Sequence, residues 1–344
     1  MRFPGLNRSV MPSTSTIKDE ALALGFDAVG VASVAPRSSS DQEPSSRLLP
    51  HLHERLRSWL ARGYHATMTW MGRDPDRRSD PRRVLDGCRS VIMVGMNYDT
   101  GHRAEERHGM GRVARYAWGR DYHLVLGERL AALSERLNIL APGHRHRWYV
   151  DTGPVMEKAW AEQAGLGWIG KHSNLVSPQH GSWLVLGTIL TTLDLDPDIP
   201  GTDLCGSCSI CIKACPTGAI VEPYVVDAGR CISYLTIEHR TDDIPDTLAH
   251  RTGNHIFGCD DCLDVCPYNT QASATSRPVF APFAWALQPS LDQLLTWTES
   301  EFRSRTIDSP VRRAKHQGWQ RNLRMAQANE SARSASAAEL TDPR

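Results

Sequence analysis

Four cysteines, Cys205, Cys208, Cys211 and Cys215, crowd into CGSCSICIKACP with the spacing C-x2-C-x2-C-x3-C-P. That is the bacterial spacing for a 4Fe–4S cube. Three thiolates of a short loop meet one cluster, and the cysteine before proline turns to a second. A second motif, GCDDCLDVCP, supplies Cys259, Cys262 and Cys266, with Ile256 where the first cysteine of the pattern would stand. Two such cubes need eight thiolates, and Cys231 between the motifs closes the count. The pattern predicts Cys205, Cys208, Cys211 and Cys266 on one cluster and Cys215, Cys231, Cys259 and Cys262 on the other. Zinc also takes four thiolates, but rarely in a crossed, proline-terminated arrangement. The ninth cysteine, Cys88, precedes an apolar run and reads as a small buried hydrophobe. Clusters of this kind pass electrons one at a time, so some other part of the chain should consume them.

The densest remaining stretch is YVDTGPVMEKAWAEQAGLGWIGKHSNL, residues 149–175. Asp151 ends a run with strand character, and Gly153 and Pro154 turn the chain. Gly165, Gly167 and Gly170 let backbone approach closely, and Lys171, His172, Ser173 and Asn174 offer polar groups. Read alone, this is equally an ordinary strand–turn–helix whose aspartate caps the helix.

The surrounding elements must position these groups. Residues 16–24 read as a helix with Thr16 as cap, Asp19 in the first turn and Gly25 as stop. Residues 28–34, 90–98, 147–151 and 182–192 read as strands, 90–98 with the continuous apolar character of a buried one. Helices are expected at 52–63, from Asp121 onward and at 154–165; in the second, Leu126, Leu130, Leu133 and Leu137 line one face. The polar, serine-rich segment 36–47 reads as a mobile loop. Strands alternating with helices predict an α/β or α+β domain over about 15–195.

Formal net charge is zero, which excludes an indiscriminate polyanion binder. Charge is locally segregated, however. Between Phe302 and Ala326 seven Arg/Lys residues face one acid, Asp308, for a local balance of +6. Arg312, Arg313, Lys315 and Arg321, with Asn322 nearby, are therefore candidate phosphate contacts. Arginine outnumbers lysine 34 to 5, which reads as coding bias. No apolar run approaches the roughly 20 residues that span a bilayer, and the first residues carry no export pattern. A cytoplasmic protein using its nine cysteines for metal or redox chemistry is expected.

Four features together carry a specific resemblance: residues 149–175, RYAWGRDYH (115–123), CISYLTIEHR (231–240) and the eight-cysteine arrangement. They resemble the epoxyqueuosine reductases over about residues 15–326. The resemblance implies an α+β protein: an N-terminal α/β cobalamin-binding domain related to that of reductive dehalogenases, then a ferredoxin-like two-cluster domain and a short helical segment. The implied divisions are 1–14 disordered, 15–198 catalytic, 199–275 ferredoxin-like, 276–326 basic and helical, and 327–344 disordered. It implies two 4Fe–4S clusters and base-off cobalamin with no protein histidine on cobalt. The implied partners are tRNA carrying epoxyqueuosine and an external electron donor, for a monomer off the membrane. Asp151 matches the family's proton donor, and Met156, Gly170, His172, Ser233, Arg240 and Arg78 sit in motifs expected to line the cobalamin. DYHLVLG (121–127) has one residue too many for the D-x-H-x-x-G ligand motif, so His123 is expected to pack or hydrogen-bond. The alternatives are a reductive dehalogenase acting on a small substrate, or a non-catalytic electron carrier.

Overall fold

A computed structural model describes residues 11–34, 44–103 and 107–341. Residues 1–10 and most of the serine-rich segment expected to be mobile lie outside the described residues.

Helix α1 (Thr14–Ala23) is capped by Ser13, whose Oγ accepts the Thr16 N–H at 3.1 Å. Thr16 therefore sits inside the helix rather than capping it, and the first turn carries no acid. Helix α2 spans Pro44–Ala61. Four strands, β1 (Ala28–Ser33), β2 (Ser90–Asn97), β3 (His146–Tyr149) and β4 (Leu184–Thr191), form one sheet in the order β1-β2-β4-β3. Every pairing in it is antiparallel, with Ser90 opposite Thr191 and Ala28 opposite Gly95. The alternation of helices and strands along the chain thus builds an α+β layer without parallel crossovers.

All eight β2 residues are buried, because both faces of the sheet are covered. Ile92, Val94 and Met96 meet α1 and the leucine stripe of α3 (Tyr122–Leu140), where Leu126, Leu130, Leu133 and Leu137 are fully buried. Val91 and Met93 point the other way, toward Val155, Trp160 and Leu166, as the two-residue period of a strand requires. Cys88 lies in this second core, and burial pushes its thiol up to about 12.

The basic C-terminal region is organised by an apolar interior. Trp297, Phe302, Val311, Trp319 and Leu323 pack with Val113, Trp118, Ile256 and Phe257. Trp285 meets Trp297 and Trp319 edge to face. This core draws together residues from all three expected structured divisions. The last helix, α6 (Lys315–Thr341), continues past residue 327, where the sequence suggests disorder. Three tertiary bonds explain the continuation: Asn329 Nδ2 donates to Ala249 O and Gly253 O, at 2.8 and 2.9 Å, and Glu330 accepts the Gly109 N–H.

Candidate redox and substrate site

The cysteine loops converge into two adjoining groups. A cavity of about 260 Å³ is lined by Cys215, Cys231, Cys259 and Cys262 together. In the other group, Cys211 has Cys205, Cys266 and Cys208 as its electrostatic neighbours, and Cys266 has Cys205 and Cys208. Each group thus mixes loops far apart in sequence, as crossed ligation requires. Backbone and ring donors already reach some sulfurs: Ala219 N–H lies 3.2 Å from Cys215 Sγ and Trp168 Nε1–H 3.5 Å from Cys205 Sγ. Burial raises the thiols of Cys211, Cys231, Cys259, Cys262 and Cys266. Iron ligation opposes this, since a coordinating thiol is deprotonated outright.

Beside these loops lies a larger cavity of about 660 Å³, walled by Leu52, Leu56, Met68, Trp70, Met71 and Met156 and edged by Arg55, Arg78 and Arg313. A neighbouring space of about 640 Å³ shares Arg55, Leu56, Met71, Met156, Ser173 and Tyr224, so the two are continuous. A wide apolar floor with guanidiniums at its edge fits a broad macrocycle bearing polar side groups.

Asp151 stands where this large cavity meets a smaller one that reaches Cys259 and Ser233. Its side chain is 64% accessible because it projects into the cavity. The backbone that presents it is unusual, with φ +55° at a non-glycine residue. The Asp151 N–H donates to Glu157 Oε1 at 3.0 Å and Oε2 at 3.2 Å. The adjacent Gly153 closes against Tyr149, and a Cβ there would meet the ring at 2.5 Å. Helix α4 begins only at Glu157, with Met156 as cap. The expected start near Pro154 is displaced by the irregular turn, and Asp151 is not a helix cap.

A hydrogen bond to Asp121 and an ion pair with Asp151, both made by His123, set the charge at this point. His123 Nδ1 lies 2.8 Å from Asp121 Oδ1, and its Nε2 faces Asp151. Burial alone would lower the imidazole, but the bonds to Asp121 and Asp151 outweigh it and hold it at about 9. The His123 contact in turn keeps the Asp151 carboxyl below its ordinary range, against the partial desolvation imposed by the cavity walls. Glu157 goes the other way. Burial, then the Asp151 charge, raise its carboxyl to about 8. Lys158 lines the large cavity, the small one and the cysteine-lined one. Its Nζ donates to Ser173 O at 3.0 Å and Asn174 Oδ1 at 2.6 Å.

Known proteins match this arrangement closely. Residues 78–152 match the family model described as "Epoxyqueuosine reductase QueG, DUF1730", and residues 204–269 match a "4Fe-4S double cluster binding domain". An epoxyqueuosine reductase of Synechococcus sp. (strain CC9605) is 44% identical over 315 residues, covering 91% of this chain and 94% of the relative. The chain belongs to the epoxyqueuosine reductase family. One of Salmonella typhimurium is 41% identical over 91% of this chain and 79% of that protein. Among solved structures, an epoxyqueuosine reductase with an epoxyqueuosine-modified tRNA-Tyr stem loop superposes with a TM-score of 0.82 at 31% identity, over 93% of this chain and 82% of that one. A Bacillus subtilis structure whose aspartate-bearing catalytic loop is swung out of the active site superposes with a TM-score of 0.80 at 30% identity, over 96% and 86% of the two chains.

Within the family's site, the residues singled out from the sequence divide. Arg78, Met156 and Asp151 line the large cavity, and Ser233 lines both smaller ones. Arg240 donates to Arg313 O at 2.8 Å, and Arg313 pairs with Glu238; Glu238 and Arg313 both edge the large cavity. His172 lines the cysteine cavity instead. Gly170 is buried and serves His172: a Cβ there would meet Val176 at 2.9 Å and the imidazole at 3.1 Å.

The expected phosphate contacts also divide. Arg312, Arg313 and Lys315 are exposed. Arg321 instead spans Leu235 O, His239 O and Thr241 O, at 2.6, 2.9 and 2.7 Å. Asn322 is fully buried, its amide donating to Thr236 O and Ile256 O. These two are structural, because their polar atoms satisfy backbone carbonyls inside the fold. Sequence reasoning did not single out Glu157 and Lys158. Their adjacency in VMEKAW, two opposite charges entering an apolar helix, was the available signal.

Proposed function

We propose that this chain reduces epoxyqueuosine to queuosine at the wobble position of tRNA, using cobalamin in the large cavity and electrons from two 4Fe–4S clusters. The observation that carries this reading is the position of Asp151, which faces the macrocycle-sized cavity on one side and the Cys259 cavity on the other. An electron carrier would need neither that cavity nor the Asp121–His123–Asp151 chain.

Bound cobalamin would supply a metal centre able to collect electrons singly and pass reducing equivalents to carbon. Met71 and Met156 would line its apolar face and Arg55, Arg78 and Arg313 its polar edge, with Arg240 behind Arg313 and Ser233 in the adjoining smaller cavities. Among the described residues, those lining the large cavity include no histidine. The form proposed is therefore base-off, with no protein histidine on cobalt. Two electrons and two protons convert the epoxide to an alkene and water. Asp151 hands one proton to the opening oxygen as general acid.

Arg312, Arg313 and Lys315, with Arg240 beside them, give the cavity a basic approach suited to the anticodon phosphates. Among the described residues, no helix is long and apolar enough to cross a membrane. The proposed setting is the cytoplasm, with a monomer fed by an external electron donor. The deciding experiment is an anaerobic assay of the reconstituted protein with cobalamin and epoxyqueuosine-containing tRNA, read by nucleoside mass spectrometry. Formation of queuosine dependent on cobalamin, iron and reductant is expected; cobalamin-independent turnover would overturn the reading.

A further inference from the structure

His172 is buried, 4% exposed, and lines the cavity shared by Cys215, Cys231, Cys259 and Cys262. The Asn174 N–H donates to its Nδ1 at 3.2 Å, so that nitrogen is the acceptor. A neutral imidazole bonded in this way carries its proton on Nε2. Burial, and then the charge of Lys158, lower the ring to about 4, which keeps it neutral. Yet Nε2 is buried without a hydrogen-bond partner among the described residues. A buried N–H left without an acceptor is destabilising, so the site calls for one. The ring is also held in place: Gly170 leaves it the space that a Cβ would occupy.

The chemistry of the cavity names the acceptor. Four thiolates and the sulfides of a cube are what this cavity would hold, and sulfur accepts N–H bonds. The same device is already visible at two other cysteine sulfurs, from Trp168 to Cys205 and from Ala219 to Cys215. We infer that His172 Nε2–H donates to a sulfur of the cluster bound by Cys215, Cys231, Cys259 and Cys262, and thereby raises that cluster's reduction potential. Hydrogen bonds to cluster sulfurs are among the determinants of potential, because the reduced cube carries the extra negative charge that a donor stabilises. His172 is thus a positioning and tuning residue for the cluster nearer Asp151, rather than a wall of the cobalamin cavity.

This inference rests on the two-cluster reading, and the test separates the two. Anaerobic, EPR-monitored redox titration of the reconstituted protein should show two cubes in the wild type, the one missing from Cys231→Ala being the cluster in question. Finding one cube in the wild type would overturn the ligation scheme and the inference with it. Given two cubes, His172→Leu should lower the reduced-to-oxidised ratio of that cluster about tenfold at fixed potential, a shift of about 59 mV for one electron. The other cluster should not move, and His172→Gln, which keeps an N–H donor, should recover part of the shift. Unchanged midpoints in His172→Leu would overturn the inference, as would a change confined to the spectrum of bound cobalamin. A measurement on the unmutated protein guards against misfolding of the variants. Histidine-15N labelling should give a nitrogen coupling on the reduced form of that cluster, and its absence would also overturn the assignment.

Discussion

His123 Nε2 stands 3.5 Å from Asp151 Oδ2, and each side chain shifts the protonation of the other. With the imidazole held at about 9 and the carboxyl depressed, the proton of this pair sits on His123 at neutral pH. In the proposed mechanism a substrate closing over Asp151 would remove water and disfavour two separated charges, moving that proton to the carboxyl. Asp151→Asn keeps the shape but cannot deliver that proton. It should retain clusters, cobalamin and tRNA binding while single-turnover reduction falls about 10²–10⁴-fold. Near-normal turnover by a fully loaded Asn variant would assign the proton to another source.

The same pair gives a stability signature. The folded-state pKa of His123 is raised, so its stabilisation is complete below the ordinary imidazole value near 6.5 and disappears as pH rises through about 9. The ring is one-third exposed, so screening trims the effect to about 1–2 kcal/mol. Denaturant titrations of wild type and His123→Gln should differ most near pH 6 and converge above pH 9. A gap that stays constant across this window would show that the ring contributes only packing.

Glu157 holds the Asp151 turn through its backbone N–H. Glu157→Gln retains an acceptor oxygen and should stay within a few-fold of wild type. Glu157→Ala should release the positive-φ turn and lower kcat by up to about 10²-fold, since small misplacements of a catalytic group cost that much. Limited proteolysis should then cut near residues 151–153 in the Ala variant alone. Equal protection of both variants would remove Glu157 from the positioning role.

Iron content tests the cysteine grouping. Reconstituted wild type should hold about eight iron atoms per chain, and Cys231→Ala about four with one cube intact. Loss of both cubes to equal extent, or about four in the wild type, would contradict two separable sites.

The basic region should split by experiment as it does by burial. Arg312→Glu should weaken tRNA binding and reduce the slope of log affinity against log salt by about 0.7–0.9 for each lost contact. Asn322→Ala leaves two buried carbonyls unpaired and should cost about 1–3 kcal/mol of stability. An unchanged salt slope for the first, or an unchanged melting transition for the second, would reverse the assignments.

What the sequence disclosed depended on how local its signal was. The cysteine spacing and the leucine stripe of α3 are short-range patterns, and both gather as their periodicity implies. The hydrophobic run of β2 likewise announced a strand covered on both faces. Asp151 was found but its surroundings were not, because a left-handed aspartate held by a residue six positions later has no periodic trace. Asn322 and Arg321 misled for a related reason. A polar side chain in a basic run reads as surface, and only the long-range carbonyls of Thr236 and Ile256 reveal a buried role for Asn322. Strand direction was equally silent, since alternation of helix and strand does not specify pairing.

The Asn322 amide carries a mechanical implication. Thr236 lies on the short helix following Cys231, and Ile256 on the strand leading to Cys259, so one side chain of α6 ties together the approaches to two cysteines of the same cavity. The helix that follows the exposed Arg312 and Arg313 is therefore also a brace across the cysteine-bearing module. Any displacement of that helix would pull on the approaches to Cys231 and Cys259 together.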